Sequence, residues 1–209
     1  MSELHLIRHG QCHYGPPAPD TLTELGALQA RHLGRWLGDG GHRFDAVYSG
    51  PARRHRDTAH HMRESAGVPL PAPAVIAELD EYPGHGIFAA AAAAGGERSF
   101  ERMVQRWRTG ELAADGLESF AAFVARVRRG LGHVMAAEGR GRRIAVVTSA
   151  GPVSVALQLA LGIDDETTVR LHWVVANASI TELRYRPGEV TLTAFNAVPH
   201  LPRALFTLR

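Results

Sequence analysis

The sequence predicts an α/β sandwich around a mainly parallel sheet, and three observations carry that prediction. Strand-like and helix-like segments alternate along most of the chain, the pattern that places helices over a parallel sheet. One strand candidate, Ile144–Ser149, is a continuous apolar run, as required of a strand buried on both faces. The chain has 209 residues, 45% of them hydrophobic, so it can bury roughly 70% of its unfolded surface without a disulfide or metal staple.

Each element follows from local chemistry. Leu4–Arg8 reads as a short buried strand stopping at Gly10, followed by a loop rich in proline and glycine (Gly15, Pro16, Pro17, Pro19). Leu22, Leu25, Leu28, Leu33, Trp36 and Leu37 form a helical apolar stripe, with Thr21 and Glu24 at capping-box spacing and Gly38, Gly40 and Gly41 at its end. Asp45–Ser49 is the second strand, and Gly50-Pro51 opens a helix to about Ala66. A third strand is expected at Ala74–Leu79. Residues 83–116 read as a cap or insertion on a single domain. This stretch holds six consecutive alanines (Ala89 to Ala94), then a helix face of Phe100, Met103, Val104 and Trp107 opposite a stripe of Arg98, Arg102 and Arg106. Leu117 to Val134 keep helical spacing, and Gly151-Pro152 starts a helix to Leu161. Two alternating strands, Ser179–Tyr185 and Val190–Phe195, meet at a Pro187-Gly188 turn.

Composition narrows the chemistry. All 23 basic side chains are arginine, and Cys12 is the one cysteine. Schiff bases, lysine general bases and lysine-tipped phosphate loops are excluded, as are internal disulfides and cysteine-built metal sites. The 12 histidines supply the side chain that titrates near neutrality. The formal net charge is only +2, so arginine clusters at 53–56, 126–129 and 140–143 read as solvated faces rather than a nucleic-acid surface. His55, His60 and His61 lack a carboxylate–histidine motif and read as surface histidines, not metal ligands. No stretch of about 18 apolar residues suggests a membrane span. The first strand begins too early for a signal peptide, so the cytoplasm is the expected location. A homo-oligomer is compatible with these features.

Three polar turns recur where strands end: Arg8-His9-Gly10, Tyr48-Ser49-Gly50 and Thr148-Ser149-Ala150. Ligands of open α/β sheets bind at the carboxyl ends of strands. A guanidinium beside an imidazole, with a glycine allowing close backbone approach, suits a tetrahedral oxyanion.

Arg8-His9-Gly10-Gln11, the segment Ser49-Gly50-Pro51-Ala52-Arg53-Arg54-His55-Arg56-Asp57-Thr58-Ala59, Leu22-Thr23-Glu24-Leu25-Gly26 with Gln29-Ala30, and the tail Phe195-Asn196 and His200-Leu201 together resemble the histidine phosphatase superfamily, the phosphoglycerate mutase-like enzymes. The resemblance implies a three-layer α/β/α sandwich and phosphoryl transfer through a phosphohistidine, with no cofactor or metal. It implies that His9 is the nucleophile and that Arg8 and Arg54 bind phosphate, with Arg53 one position away. Glu81 matches the leaving-group acid, with Asp80 and Glu78 as local competitors. Gln11 falls in the phosphate-binding loop.

One departure stands out. The family's second histidine falls where this chain has Ser149. Losing such a donor costs about 3 kcal/mol, although serine and the free amides at the following helix start can recover part of it. Three readings follow: a metal-independent phosphomonoester hydrolase of reduced activity, a weak or inactive relative that binds a phosphate ligand, and, more remotely, a phosphoglycerate mutase-type phosphotransferase. His200 is the leading substitute imidazole, with His172 and His85 behind it. The expected partner is a small-molecule phosphomonoester or inorganic phosphate, with no nucleic acid and no membrane.

Overall fold

The computed structural model describes residues 1–13 and 20–208, so the proline- and glycine-rich loop at 15–19 lies outside the described residues. The strands are β1 (Ser2–Arg8), β2 (Ala46–Ser49), β3 (Ala74–Val75), β4 (Arg143–Thr148), β5 (Ile180–Arg186) and β6 (Glu189–Ala197). The helices are α1 (Glu24–Asp39), α2 (Arg53–Ser65), α3 (Gly84–Ala93), α4 (Phe100–Arg108), α5 (Phe120–Ala137), α6 (Ala150–Leu161) and α7 (Asp165–His172). The sheet order is β3-β2-β4-β1-β5-β6. The four strands from β3 to β1 are mutually parallel, while β5 and β6 are antiparallel additions.

The apolar run of β4 explains the layering. Side chains alternate across a strand, so Ile144 and Val146 join one buried cluster while Ala145 and Val147 join another. In β1, Leu4 and Leu6 point to the first cluster and Ile7 to the second. The second cluster is closed by Leu33 and Leu37 of α1 and Ala59 and Met62 of α2. The first is closed by α3 to α7, through Ile87, Trp107, Phe123, Val153 and Val169 among others. The result is the three-layer sandwich.

Several local expectations change. Helix α1 is capped by Thr23, whose hydroxyl accepts from the Gly26 N–H at 3.0 Å, and not by Thr21. Both threonines offer the same chemistry, and the backbone of Leu22 is taken by a bridge to Cys12. The expected strand at Ala74–Leu79 shortens to two residues and becomes a 3₁₀ turn at Ala77–Leu79, which turns the chain toward the sheet's carboxyl end. Helix α7 was not foreseen; it is capped by Asp164, which accepts from the Thr167 N–H at 2.7 Å. The alanine run forms the second half of α3, with Ile87 and Ala91 fully buried. From the arginine stripe, Arg102 and Arg106 pair with Glu97 and Glu111. Among the described residues, no helix is long and apolar enough to cross a membrane.

His200 is 7% exposed, with its ring 6.0 Å from that of Trp36 and facing the Ala178 carbonyl. Burial, followed by nearby His32, lowers its pKa to about 4 against that carbonyl's opposing effect. A histidine whose folded pKa is depressed binds its proton more readily when unfolded, so stability declines as pH falls from 6.5 toward 4. We expect the denaturant midpoint to be level above pH 6.5 and to fall below it, with His200→Leu removing about 2–3 kcal/mol of that pH-dependent loss. An unchanged slope in the variant would place the titration elsewhere.

Candidate active site

The three polar strand ends are neighbours, because β4 lies between β2 and β1. The register pairs Arg8 with Thr148 and Ser49 with Val147, so the chain leaves all three strands at the same edge. This carboxyl edge is where a parallel sheet binds its ligands.

His9 extends β1 by one residue and is 2% exposed. Its amide N–H donates to the Thr148 carbonyl at 2.8 Å, and its own carbonyl accepts from the Ala178 N–H at 3.2 Å. The ring Nδ1 lies 2.7 Å from the Gly10 carbonyl oxygen. A carbonyl can only accept, so Nδ1 carries the ring proton and Nε2 keeps its lone pair. Burial, with Arg8, Arg54 and His55 adding to it, holds the imidazole pKa well below 6.5. The ring is neutral, with its lone pair on Nε2.

Two guanidinium groups flank it. Arg8 Nη1 donates to the carbonyls of Val175 and, at 2.8 Å, Leu208, while its buried Nε has no partner. Arg54 Nη1 binds Asp20 at 2.5 Å and Nη2 donates to Ser149 Oγ at 3.2 Å; its Nε is also buried without a partner. Burial is the largest influence on Arg54 and works against its charge, but the carboxylates of Glu81 and Asp20 outweigh it and raise the pKa. Thr58 ties the arginine to the loop after His9, accepting from the Gly10 N–H at 3.1 Å and donating to the Arg54 carbonyl at 2.7 Å. Burial also separates Arg54 from its neighbour. The Arg53 side chain is 62% exposed and pairs with Asp57, whereas that of Arg54 is 16% exposed.

Of the three candidate carboxylates, Glu81 is the one that faces both arginines. Its oxygens accept from the Tyr82 N–H at 3.0 Å and the Gly151 N–H at 3.1 Å. Burial raises its pKa above 4.5 against the pull of those amides and of Arg54 and Arg8. The approach requires glycine at 151, since a Cβ there would lie 1.9 Å from a Glu81 oxygen. Asp80 instead accepts from the Glu81 amide at 2.8 Å, and Glu78 packs against Gly130. At the α6 start Gly151 donates to Glu81 and Pro152 has no N–H, so neither of these two residues offers the free amide expected there.

Gln11 serves the loop's framework, its side-chain oxygen accepting from the Thr23 hydroxyl at 2.9 Å and its N–H donating to Gln29 at 2.8 Å. His200 is held against α1 by Trp36, and His172 pairs with the Tyr82 hydroxyl at 2.9 Å. The imidazole beside Ser149 is His55, which is fully buried and not a surface histidine. Its place among three arginines disguised it as part of a basic face. Asp20 was also missed: it binds Arg54 and, at 2.7 Å, the Arg53 amide at the start of α2. Nothing in its sequence context signals that role. Among the described residues, no group of three or more histidine, cysteine, aspartate or glutamate side chains is placed to hold a metal ion.

Fold and site define a class of α/β sandwich in which a buried, neutral histidine and two arginines meet at adjacent strand ends. The chain belongs to the histidine phosphatase superfamily (branch 1), whose model matches residues 4–198. That membership supports phosphatase or phosphotransferase activity in general. Among solved structures, the fold is similar to a phosphoserine phosphatase variant from Entamoeba histolytica in complex with phosphoserine (23% identity, 97% of this chain and 100% of that one, TM-score 0.69). It is also similar to a phosphoglycerate mutase from Bacillus anthracis (21%, 95% and 94%, 0.73) and an alpha-ribazole phosphatase from Shigella flexneri (23%, 93% and 96%, 0.70). No curated protein sequence matches the chain.

The contrast between the adjacent arginines is testable by calorimetric titration with inorganic phosphate. Arg54→Ala should weaken binding about ten- to a hundredfold, the value of a charge-assisted hydrogen bond, and Arg53→Ala by less than about twofold. The reverse order would exchange their roles.

Proposed function

We propose that this protein is a metal-independent phosphomonoester hydrolase working through a phosphohistidine on His9. The observation that carries the reading is the Nδ1–Gly10 carbonyl contact, which leaves the lone pair on Nε2 beside two guanidinium groups with unpaired N–H donors. In the first step Nε2 attacks phosphorus, the N–P bond forms and the P–O bond to the alcohol breaks. Arg8 and Arg54 neutralise the transferring oxygens, the task a metal performs in other phosphoryl-transfer sites. Glu81 gives its proton to the leaving oxygen. Water then attacks phosphorus, Glu81 takes up the water's proton, and the N–P electron pair returns to the ring.

Ser149 supplies one neutral donor where the superfamily pattern has an imidazole. That substitution favours slow turnover, and it is the observation behind the second reading, a relative that binds a phosphate ligand with little catalysis. Retaining a phosphoenzyme against water and holding a second phosphate makes a mutase the least supported reading. The phosphoenzyme decides between the first two. Mixing the protein with a labelled monoester in chelator, then quenching in acid or alkali, should leave label that survives alkali, is lost in acid and disappears in His9→Ala. Phosphate binding without label or turnover would favour the ligand-binding relative.

The acid has its own signature. Activity needs His9 unprotonated and Glu81 protonated, so kcat/KM should rise through a pKa well below 6.5 and decline through one above 4.5. Glu81→Gln should abolish the declining limb and slow alkyl phosphates about a hundredfold or more. Nitrophenyl phosphate, whose leaving group departs without a proton, should be affected far less. Equal losses on both substrates would remove Glu81 from the role of acid.

A further inference from the structure

We propose that His55 is the positioning imidazole of this site: entering from α2, it holds the Ser149 hydroxyl so that its proton points at the transferring phosphoryl group. The inference rests on the phosphohydrolase reading above and adds a residue that nothing in the sequence pattern assigns.

His55 and Ser149 are both fully buried, and His55 Nε2 lies 2.6 Å from Ser149 Oγ. The His55 ring centroid is 5.6 Å from that of His9. Ser149 is the N-cap residue of α6, where a serine hydroxyl ordinarily accepts from the first-turn amides. Here it makes no such bond and turns instead to Arg54 and His55. Room for the ring comes from Gly50, because a Cβ at that position would lie 2.3 Å from His55 Nδ1.

Donor counting gives the pair its function. A serine hydroxyl has two lone pairs and one proton. Arg54 Nη2 can only donate, and it occupies one lone pair. If His55 donates through Nε2–H, the second lone pair is filled and the hydroxyl proton must seek a third partner. The acceptor on the nucleophile's side of Ser149 is a phosphoryl oxygen held by Arg8 and Arg54. In the opposite tautomer Ser149 would donate inward to His55, and lone pairs alone would face the phosphoryl oxygens. Nδ1 of His55 lies against the Gly50 backbone carbonyl without a hydrogen bond of normal geometry, so the ring proton is free to move to Nε2 once a phosphoryl acceptor is present. Burial, reinforced by Arg54, also keeps the ring neutral. The imidazole lost from the turn after β4 is thus supplied one strand away, acting through a serine.

The test compares single and transposed variants, following kcat, phosphate affinity and the rate of His9 labelling. His55→Ala and Ser149→Ala should each lower kcat about 10- to 100-fold while inorganic phosphate binding changes less than about threefold. The double variant should lose little more than either single one, because the two side chains act as a unit. Moving the ring, as His55→Ala with Ser149→His, should recover most of the loss, which a merely structural role for His55 would not allow. His55→Gln retains a donor and should fall between. If His55→Ala is folded and keeps kcat within twofold, if the two single losses multiply, or if label accumulates as an acid-stable ester on Ser149, the proposal is overturned. Failure of the wild type to label His9 at all, with phosphate bound, would instead defeat the phosphohydrolase reading beneath it.

Discussion

The site depends on keeping two guanidinium groups out of water beside an imidazole that must stay neutral. An isolated buried charge costs several kcal/mol, so each arginine needs fixed partners that still leave donors free. For Arg8 the partners are backbone carbonyls. Val175, just before β5, and Leu208, in the closing segment, both accept from Nη1, so distant parts of the chain converge on one side chain. For Arg54 the partner is the Asp20 carboxylate. These contacts fix each group at one end and leave Nε unpaired at the other. The same positive field lowers the His9 pKa, with burial as the larger cause.

Around that constraint the fold supplies registration. Parallel pairing of β2, β4 and β1 brings Gly50, Ser149 and His9 to one edge. Thr58 couples α2 to the loop after His9, and Gly151 lets the Glu81 carboxylate reach the start of α6. Glu81 therefore comes from the segment just after the 3₁₀ turn and is oriented by the amides of its neighbour Tyr82 and of Gly151 at the start of α6.

The fold was largely legible because apolar patterning reports burial directly: the continuous apolar run of β4 marked a strand buried on both faces. Of the stripe read for α1, by contrast, only Leu33 and Leu37 are fully buried, beside Gln29 and Ala30. His9 and Arg8 were legible as site candidates for a different reason, since Arg8-His9-Gly10 is contiguous at a strand end. What could not be read depended on long-range burial. Arg53 and Arg54 differ only in which face of α2 meets the sheet, and His55 belongs to the same arginine-rich run. Asp20 lies 34 positions from Arg54 and acts through a turn with a positive φ of 64°. The resemblance of the tail makes His200 the leading substitute imidazole in the sequence, whereas in the structure its ring lies against Trp36 of α1. The choice of Thr23 over Thr21 was likewise a contest between equivalent hydroxyls, settled by where the backbone turns.

The central claim is geometric: a phosphoryl group is held in line with His9 Nε2 by Arg8, Arg54 and Ser149, with Glu81 on the leaving side. A crystal structure of the protein with orthovanadate tests it most directly. The account predicts five-coordinate vanadium bonded apically to His9 Nε2, equatorial oxygens meeting the two guanidinium groups and the Ser149 hydroxyl, and the opposite apical oxygen beside Glu81. Vanadate bonded through Ser149, or bound at the strand ends without a bond to His9, would contradict it.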